Sequence, residues 1–279
     1  MKVSVVIPAF NEERSISDCL ESLEKQILKD LEIIVVDDGS TDKTREIVAQ
    51  FPVKLLEQSH LGPGQARNLG AKKAEGEILV FVDADMTFDK KFVEKLIEPI
   101  VKGETIGTFS KEELVANKNN IWSRCWNFNK GLPTDRMHPQ NYPDTQPVFR
   151  AILASEFKRA GGFKPIGYID DHTLSDALHV LATVAPGAIF YHQNPSSLEE
   201  VFRQARWIGK SQYKRRKIKN ELLMKIVSII RYNPIFSLIN GLLGSLKLGS
   251  LNYLIFKLVY DLAIEISLAG SFLGEQANK

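Results

Sequence analysis

Ile78-Leu79-Val80-Phe81-Val82-Asp83-Ala84-Asp85 is an apolar, β-prone run that stops on two carboxylates spaced i, i+2. Flanked by Gly76 before it and a polar segment after it, the run reads as a strand buried on both faces of a parallel sheet. In open α/β sheets the ligand crevice lies outside the carboxyl ends of the strands, so the acids face that crevice. Extended backbone points residues two apart to the same side. Asp83 and Asp85 are therefore expected to converge on one hard divalent ion, Mg²⁺ or Mn²⁺, carrying a phosphate-bearing substrate. An acid pair can equally end a strand or cap the next helix, and the rest of the chain has to decide.

Strand-like and helical stretches alternate around this run. Val3 to Ile7 precedes a helical pattern from Arg14 to about Gln26, and Leu31 to Val36 precedes a helix opening at Ser40-Thr41-Asp42. Val53 to Leu56 leads to a helix beginning near Gly64, and the 78–82 strand to one from about Asp89 to Val101. Such β-then-α units in a row predict an α/β fold, a mostly parallel sheet flanked by helices. Pro8 to Glu12, Asp37 to Ser40 and Asp83 to Asp85 all follow strands, which lines them along one crevice. From Lys102 to Tyr142 the periodicity fades, with Trp122, Trp126 and Phe128 set among polar residues, and this region is expected over the crevice. Strand character returns at Pro147 to Leu153. A short helix at Ser155 to Ala160, the turn Gly161-Gly162-Phe163, a helix from about His172 to His179, a strand near Gly187 to Tyr191 and a long helix from Ser197 follow.

The 279 residues suffice for one large domain, or one domain with an appendage, and a net charge of +2 carries no global nucleic-acid signature. Cys19 and Cys125 lie far apart without metal-ligand spacing, so no disulfide framework is implied and a reducing, cytoplasmic setting fits. Lys2 to Ile7 reads as a first strand and not as a signal peptide, because no cleavage region follows it.

Two glycine-bearing loops carry candidate ligand contacts. In Asp37-Asp38-Gly39-Ser40-Thr41-Asp42, Gly39 allows a sharp turn and Ser40 or Thr41 is placed to cap the next helix. Capping leaves the two acids unexplained, and a carboxylate there can accept the N–H of a uracil or guanine ring. Gly62-Pro63-Gly64-Gln65-Ala66-Arg67-Asn68 opens a helix with glycines and carries Arg67 one turn inside. Helix N-termini attract phosphate and Arg67 can supplement that; the alternative is a plain loop followed by a surface arginine.

Taken together, Val5-Val6-Ile7-Pro8-Ala9-Phe10-Asn11-Glu12, Val35-Val36-Asp37-Asp38-Gly39-Ser40-Thr41-Asp42, Gly64-Gln65-Ala66-Arg67-Asn68-Leu69-Gly70 and Asp83-Ala84-Asp85 resemble the family 2 glycosyltransferases of GT-A fold. The match in order and spacing spans roughly residues 1 to 210 and is far more specific than any single member. The resemblance implies that Pro8, Ala9, Asn11 and Glu12, with Asp38, hold the nucleotide. It puts Gly64 and Arg67 near the nucleotide and diphosphate, and Asp83, Ala84 and Asp85 at the metal-diphosphate. The family carries an acidic motif whose final Asp is the catalytic base, and Gly162-Phe163 followed by Ile169-Asp170-Asp171 is similar to it. Asp171 aligns with the base and Asp170 is the alternate; read alone, the acids could simply cap the helix near His172. A lone histidine is usually an ordinary core or surface residue. In GT-A enzymes, however, one after the acidic motif commonly completes the metal shell, which puts His192 with Asp83 and Asp85.

Arg203-Gln204-Ala205-Arg206-Trp207 is similar to the Arg-X-X-Arg-Trp motif of processive members such as cellulose and hyaluronan synthases. Helical spacing gives Arg203, Arg206 and Trp207 one face, offering two cations to a leaving diphosphate and an indole to a sugar ring. A surface amphipathic helix is the plainer account, and the long membrane-spanning helices of those synthases are not found in this sequence. Lys210, Lys214, Arg215, Arg216, Lys217 and Lys219 follow, opposed nearby only by Glu221. The run is either a solvated helix face or a patch for anionic lipid headgroups, RNA being disfavoured because no recognition motif accompanies it. From Leu222 to Gly274 the chain is rich in Leu, Ile, Phe and Gly, yet its charges leave no run of the roughly 18–20 apolar residues that crossing a bilayer needs. Lys257, Asp261 and Glu265 form one stripe of a helix, which leaves a membrane interface, a second subunit or the catalytic domain as its partner.

The sequence thus predicts a glycosyltransferase domain over 1–219 and a helical, apolar extension over 220–279. The expected reaction is inverting transfer from a UDP- or GDP-sugar to a glycan hydroxyl or lipid-linked acceptor, with Mn²⁺ or Mg²⁺ and without nucleic acid. A polyprenyl-phosphate acceptor is the variant reading. The rival classes are a nucleotidyltransferase, whose glycine-rich signature near the first strand is missing, and a non-catalytic sugar-nucleotide-binding scaffold. The protein is expected in the cytoplasm or peripherally at the inner membrane face, with the extension as a membrane contact or a homodimer contact.

Overall fold

The computed structural model of the chain describes residues 1–139, 141–164, 170–215 and 232–272. The chain divides into two compact units, Met1–Leu114 with His138–His192, and Val115–Met137 with the chain from Gln193 onward. The boundary expected at 219/220 falls outside the described residues.

The first unit opens with strands β1 (Val3–Ala9), β2 (Leu31–Asp37), β3 (Lys54–Glu57) and β4 (Ile78–Phe81) alternating with helices α1 (Ile16–Glu24), α2 (Thr44–Val48) and α3 (Pro63–Lys73). It continues through β5 (Met86–Phe88), α4 (Phe92–Val101), β6 (Gly107–Phe109) and β7 (Glu113–Val115). After an excursion into the second unit come β8 (Thr145–Gln146), β9 (Ala151–Leu153), α6 (Ala154–Ala160), α7 (Thr173–Leu178), β10 (Ala182–Val184) and β11 (Phe190–His192). The excursion holds α5 (Ile121–Asn129). The main sheet runs β3-β2-β1-β4-β9-β6-β10-β8, and a smaller sheet runs β5-β11-β7. β1 pairs in parallel with β2 and β4, β2 in parallel with β3, and β9 enters antiparallel to β4 and β6. This is the α/β sheet flanked by helices that the sequence predicts, and the parallel run β3-β2-β1-β4 is the part the β-then-α periodicity covers; a further parallel pair joins β10 to β6.

β1 and β4 lie in the centre and are apolar on both faces, so their residues are buried almost without interruption. One apolar layer packs α1 and α4 against Val3, Val5, Val80 and Phe190, and the other packs α3 and α6 against Val6, Ile34, Leu79 and Phe81. Gly76, at the entry to β4, abuts β1 so closely that a Cβ would sit 2.5 Å from the Ser4 backbone nitrogen, while its own N–H donates to Ser4 Oγ at 2.8 Å.

Between residues 102 and 142, where periodicity fades, the structure has β6, β7 and α5. These strands are three residues long, too short for alternation to register. Trp126 is a buried core residue of the second unit. That unit packs α5 with α8 (Leu198–Arg215), α9 (Pro234–Leu248) and α10 (Asn252–Phe272). Trp126 meets Phe256 and Tyr260 edge-on, and Phe128 meets Tyr253 in the same way. No described helix is long and apolar enough to cross a membrane.

The tight backbone packing at Gly76 predicts that Gly76→Ala lowers the unfolding free energy by about 1–3 kcal/mol, since no rotamer change can relieve a clash with backbone. Urea unfolding followed by circular dichroism measures it, and an unchanged midpoint would contradict this account of how β4 packs on β1.

Candidate active site

The loops after β1 and β2 are knitted to each other. Ala9 lies opposite Asp37 in the parallel register, and the Asp38 N–H donates to the Ala9 carbonyl at 2.8 Å. Asn11 takes a left-handed conformation, φ 55°, which Asn tolerates better than most residues. From there its N–H donates to Ser40 Oγ at 2.9 Å, and its Oδ1 accepts from the Thr41 N–H at 2.8 Å. The Glu12 N–H donates to Thr44 Oγ1 at 2.8 Å, and Glu12 Oε2 accepts from Ser15 Oγ just ahead of α1. The sequence expectation that Ser40 or Thr41 caps α2 is therefore corrected. Both serve Asn11, and Asp42 accepts from the Thr44 N–H at the start of that helix.

Both acids of the Asp37-Asp38 pair are buried. Asp37 Oδ2 accepts from the N–H groups of Gly39 and Ser40, closing the turn that Gly39 makes at φ 84°. Asp38 Oδ1 accepts from Gln58 Nε2 and the Leu61 N–H, and Oδ2 from the Gly62 N–H at 2.9 Å. Asp38 thus shapes the loop that delivers Gly62, Pro63 and Gly64 to the N-terminus of α3. In the same loop the His60 ring packs against Phe10, tilted by 34° with ring centroids 4.1 Å apart, an aromatic pair at the strand ends that no sequence motif marks.

Asp83-Ala84-Asp85 is a turn, and this corrects the extended geometry expected from the sequence. The Met86 N–H donates back to the Asp83 carbonyl at 3.2 Å, and the chain passes here from β4 in the main sheet to β5 in the small one. Ala84 is buried and the two carboxylates turn to different partners. Asp83 Oδ1 accepts from Arg67 Nη2 at 2.7 Å and Oδ2 from Arg150 Nη1 at 3.2 Å. Burial pushes the Asp83 carboxyl up, but Arg150 and Arg67 outweigh it and hold it well below the usual carboxylate range. The guanidinium of Arg67 lies over Phe163, and that of Arg150 over Phe190.

Asp85 turns to His192. Register sets His192 opposite Met86 in the small sheet, so Asp85 Oδ2 lies 3.1 Å from His192 Nε2. His192 Nδ1 lies 2.7 Å from Glu113 Oε1 on β7, and Glu113 Oε2 lies 3.0 Å from His138 Nε2. Burial alone would lower the His192 pKa; Asp85 and Glu113 instead raise it well above the usual imidazole value. Burial likewise works against the Glu113 charge, and the two histidines hold its carboxyl well below the usual range. Two cis ligands of an octahedral ion at about 2.1 Å are about 3.0 Å apart, so the Asp85–His192 separation fits a shared divalent ion. Glu113 stands behind the imidazole, where an outer carboxylate would orient the ring if His192 held an ion. Among the described residues no set of three His, Cys, Asp or Glu side chains converges as a complete cage.

The acidic motif is tied to α3. Asn68 Nδ2 donates to the Phe163 carbonyl at 2.8 Å and Asn68 Oδ1 accepts from the Phe163 N–H at 2.9 Å. Gly162, at φ 76°, has Asn68 where a Cβ would go. Residues 165–169 lie outside the described chain, and a 3₁₀ turn over Asp170–His172 follows. α7 begins without a side-chain cap, so Asp171 is not used in capping; it is partly exposed and close enough to Arg150 to support that cation. Arg203, Arg206 and Trp207 lie on α8 in the second unit, Arg203 exposed and the other two half-buried. Among the described residues Arg206 Nε is buried with no hydrogen-bond partner.

Arg150, Glu113 and His138 are site residues that the sequence reading missed. A cation inside the apolar run Phe149-Arg150-Ala151-Ile152 was the available signal for the first. Glu113 and His138 stand in the stretch without periodicity and carried none. Because Arg67 and Arg150 share one carboxylate, Arg150→Met is expected to cost about 1–3 kcal/mol of stability, and adding Asp83→Ala to cost much less than the sum of the singles. Denaturant melts of the four chains in that cycle read the coupling, and strict additivity would refute the shared clamp.

Known proteins resemble this chain. The family model described as glycosyl transferase family 2 matches residues 4–160. TarS of Staphylococcus aureus, a poly(ribitol-phosphate) β-N-acetylglucosaminyltransferase, is 43% identical over 99 residues, 33% of this chain and 17% of that protein. The chain thus matches well under two thirds of the length of such curated relatives. The solved structure of TarS residues 1–349 in complex with UDP-GlcNAc superposes with a TM-score of 0.56 at 20% identity, covering 97% of this chain and 92% of that one. The mannosyltransferase PcManGT of Pyrobaculum calidifontis, solved with GDP-Man and Mn²⁺, gives 0.58 at 20% identity over 98% of this chain and 87% of that one.

Proposed function

The chain belongs to glycosyl transferase family 2, and on that premise we propose that it transfers a sugar from a nucleotide-diphosphate donor, with inversion, to a hydroxyl-bearing glycan or lipid-linked acceptor. The observation that carries the reading is the pairing of Asp85 with His192, backed by Glu113, just past the end of β4, beside β1, which leads into the 8–12 loop, and one strand from β2, which leads into 37–44. Mg²⁺ or Mn²⁺ is usually held by few protein donors together with substrate phosphates and water, and here Asp85 and His192 would be the protein donors. The ion supplies positive charge to the leaving diphosphate when bound.

The chain's own residues do the rest. The nucleotide lies along Pro8 to Glu12, where Phe10 and His60 offer aromatic faces to a base and Asp38 fixes the loop rather than reading the base itself. The N-terminus of α3 at Gly64 and the Arg67 guanidinium favour the diphosphate. Asp83 holds Arg67 and Arg150 at the crevice and so acts as a positioning residue. Asp171 takes the proton of the acceptor hydroxyl as its oxygen attacks the anomeric carbon, and the nucleoside diphosphate leaves in the same displacement. UDP- and GDP-sugars are the donors to test first, because the TarS and PcManGT structures hold one of each.

A panel of UDP-, GDP- and dTDP-sugars with Mn²⁺, read by thermal shift, identifies the donor. With it, Asp171→Asn is expected to lower transfer about 10²–10⁴-fold while leaving donor affinity within about twofold. Retained turnover would remove Asp171 as base and point to an acceptor that is already anionic.

A further inference from the structure

In the second unit α9 carries its polarity inside out, while α10 buries aromatic residues on one side and exposes an apolar stripe on the other. α9 buries Ser237, Gly241, Gly244 and Ser245 and turns Ile235, Leu238, Leu242, Leu243 and Leu246 outward, the last 80% exposed. α10 adds Ile255, Leu258, Leu262 and Ile266, all exposed and spaced along one stripe. The polar groups point the other way. Asp261 is 1% exposed, accepts from Ser237 Oγ at 2.6 Å, and pairs with Lys257 Nζ at 2.8 Å. Small residues set the close approach of the two helices, since a Cβ on Gly244 would fall 2.0 Å from the Tyr253 ring and one on Gly241 2.7 Å from Leu254 Cδ1. A water-facing helix pair puts its large apolar residues between the helices. Small residues and hydrogen-bonded polar groups at the contact, with leucines outside, is the construction of helices whose outer face meets hydrocarbon.

We infer that the exposed apolar face of α9 and α10 docks the protein on an anionic lipid bilayer. At 15 residues α9 is about 22 Å long and short of the roughly 30 Å of a hydrocarbon core, and α10, at 21 residues long enough, carries Lys257, Asp261 and Glu265 and is not apolar enough to cross, so the pair lies in the interface. Charge complementarity selects the lipid over a second copy of the chain. Lys210, Lys214, Arg215, Arg216, Lys217 and Lys219 precede these helices in sequence, with Glu221 as the nearby counter-charge. An anionic leaflet neutralises that run, whereas a symmetric partner brings a second set of the same cations. On α9 itself the charged residue is Lys247, also a cation. Bilayer docking holds whether or not the first unit transfers sugar.

The test is co-sedimentation of the full chain with vesicles of phosphatidylcholine alone and of phosphatidylcholine mixed with phosphatidylglycerol, alongside light scattering of the free protein. Binding is expected on the mixed vesicles, weaker by about tenfold or more on the neutral ones and at high salt. The Leu242→Glu, Leu246→Glu double variant is expected to lose it while melting as the parent does, both side chains being exposed. Should that variant fail to fold, Lys214→Ser with Lys217→Ser and Lys219→Ser, which leaves the apolar face intact, is expected to weaken binding to the mixed vesicles alone. Absence of binding to the mixed vesicles, equal binding by every variant, or a stable dimer that the Leu242→Glu, Leu246→Glu change dissociates would overturn the proposal.

Discussion

A half-buried carboxylate shared by two guanidinium groups organises the first unit. Asp83 follows the central strand β4, Arg67 comes from the first turns of α3, and Arg150 stands immediately before the antiparallel neighbour β9. Each of the three would be costly to hold away from water by itself, and together they satisfy one another. The clamp fixes where α3 begins relative to the end of β4, and Asn68, on the same helix, in turn fixes Phe163 and the start of the acidic motif. It also frees the second acid of the turn, since with Asp83 engaged it is Asp85 alone that reaches across to His192.

The small sheet has its own logic. β5, β11 and β7 are three-residue strands whose contribution is registration: they hold Asp85, His192 and Glu113 in one line of hydrogen bonds. A histidine gripped on its far nitrogen by a buried carboxylate has a fixed ring plane and a basic near nitrogen, which is what an ion or a phosphate-bound cation needs from it. In the second unit, hydrogen-bonded polar groups also specify an interface, but there they join two helices whose leucines face outward.

Legibility followed sequence distance. β1 and β4 are readable because a strand buried on both faces is an unbroken apolar run, and the carboxyl-end loops follow from parallel topology. Arg150 and Glu113 escaped because their partners stand 67 and 79 residues away, where no periodicity or spacing rule applies. Residue type marks the Asp83-Ala84-Asp85 motif, while its geometry departs from the extended backbone of the run before it because the chain turns here between two sheets. For the Lys257-Asp261-Glu265 stripe, a period of four locates a face but does not say whether that face meets water. Lys257 and Asp261 turn inward, because Ser237 and the small residues of α9 make room for an ion pair there.

The proposed role of Asp85 and His192 is the centre of the functional account, and it is open to a direct physical count. Electron paramagnetic resonance of Mn²⁺ titrated into the full chain reports free ion, so bound ion is obtained by difference with and without a UDP- or GDP-sugar. The account predicts tight binding of about one Mn²⁺ per chain only when the donor is present, falling by about tenfold or more in Asp85→Asn and in His192→Ala. Donor that binds equally well without Mn²⁺, or Mn²⁺ uptake that both variants leave unchanged, would contradict it.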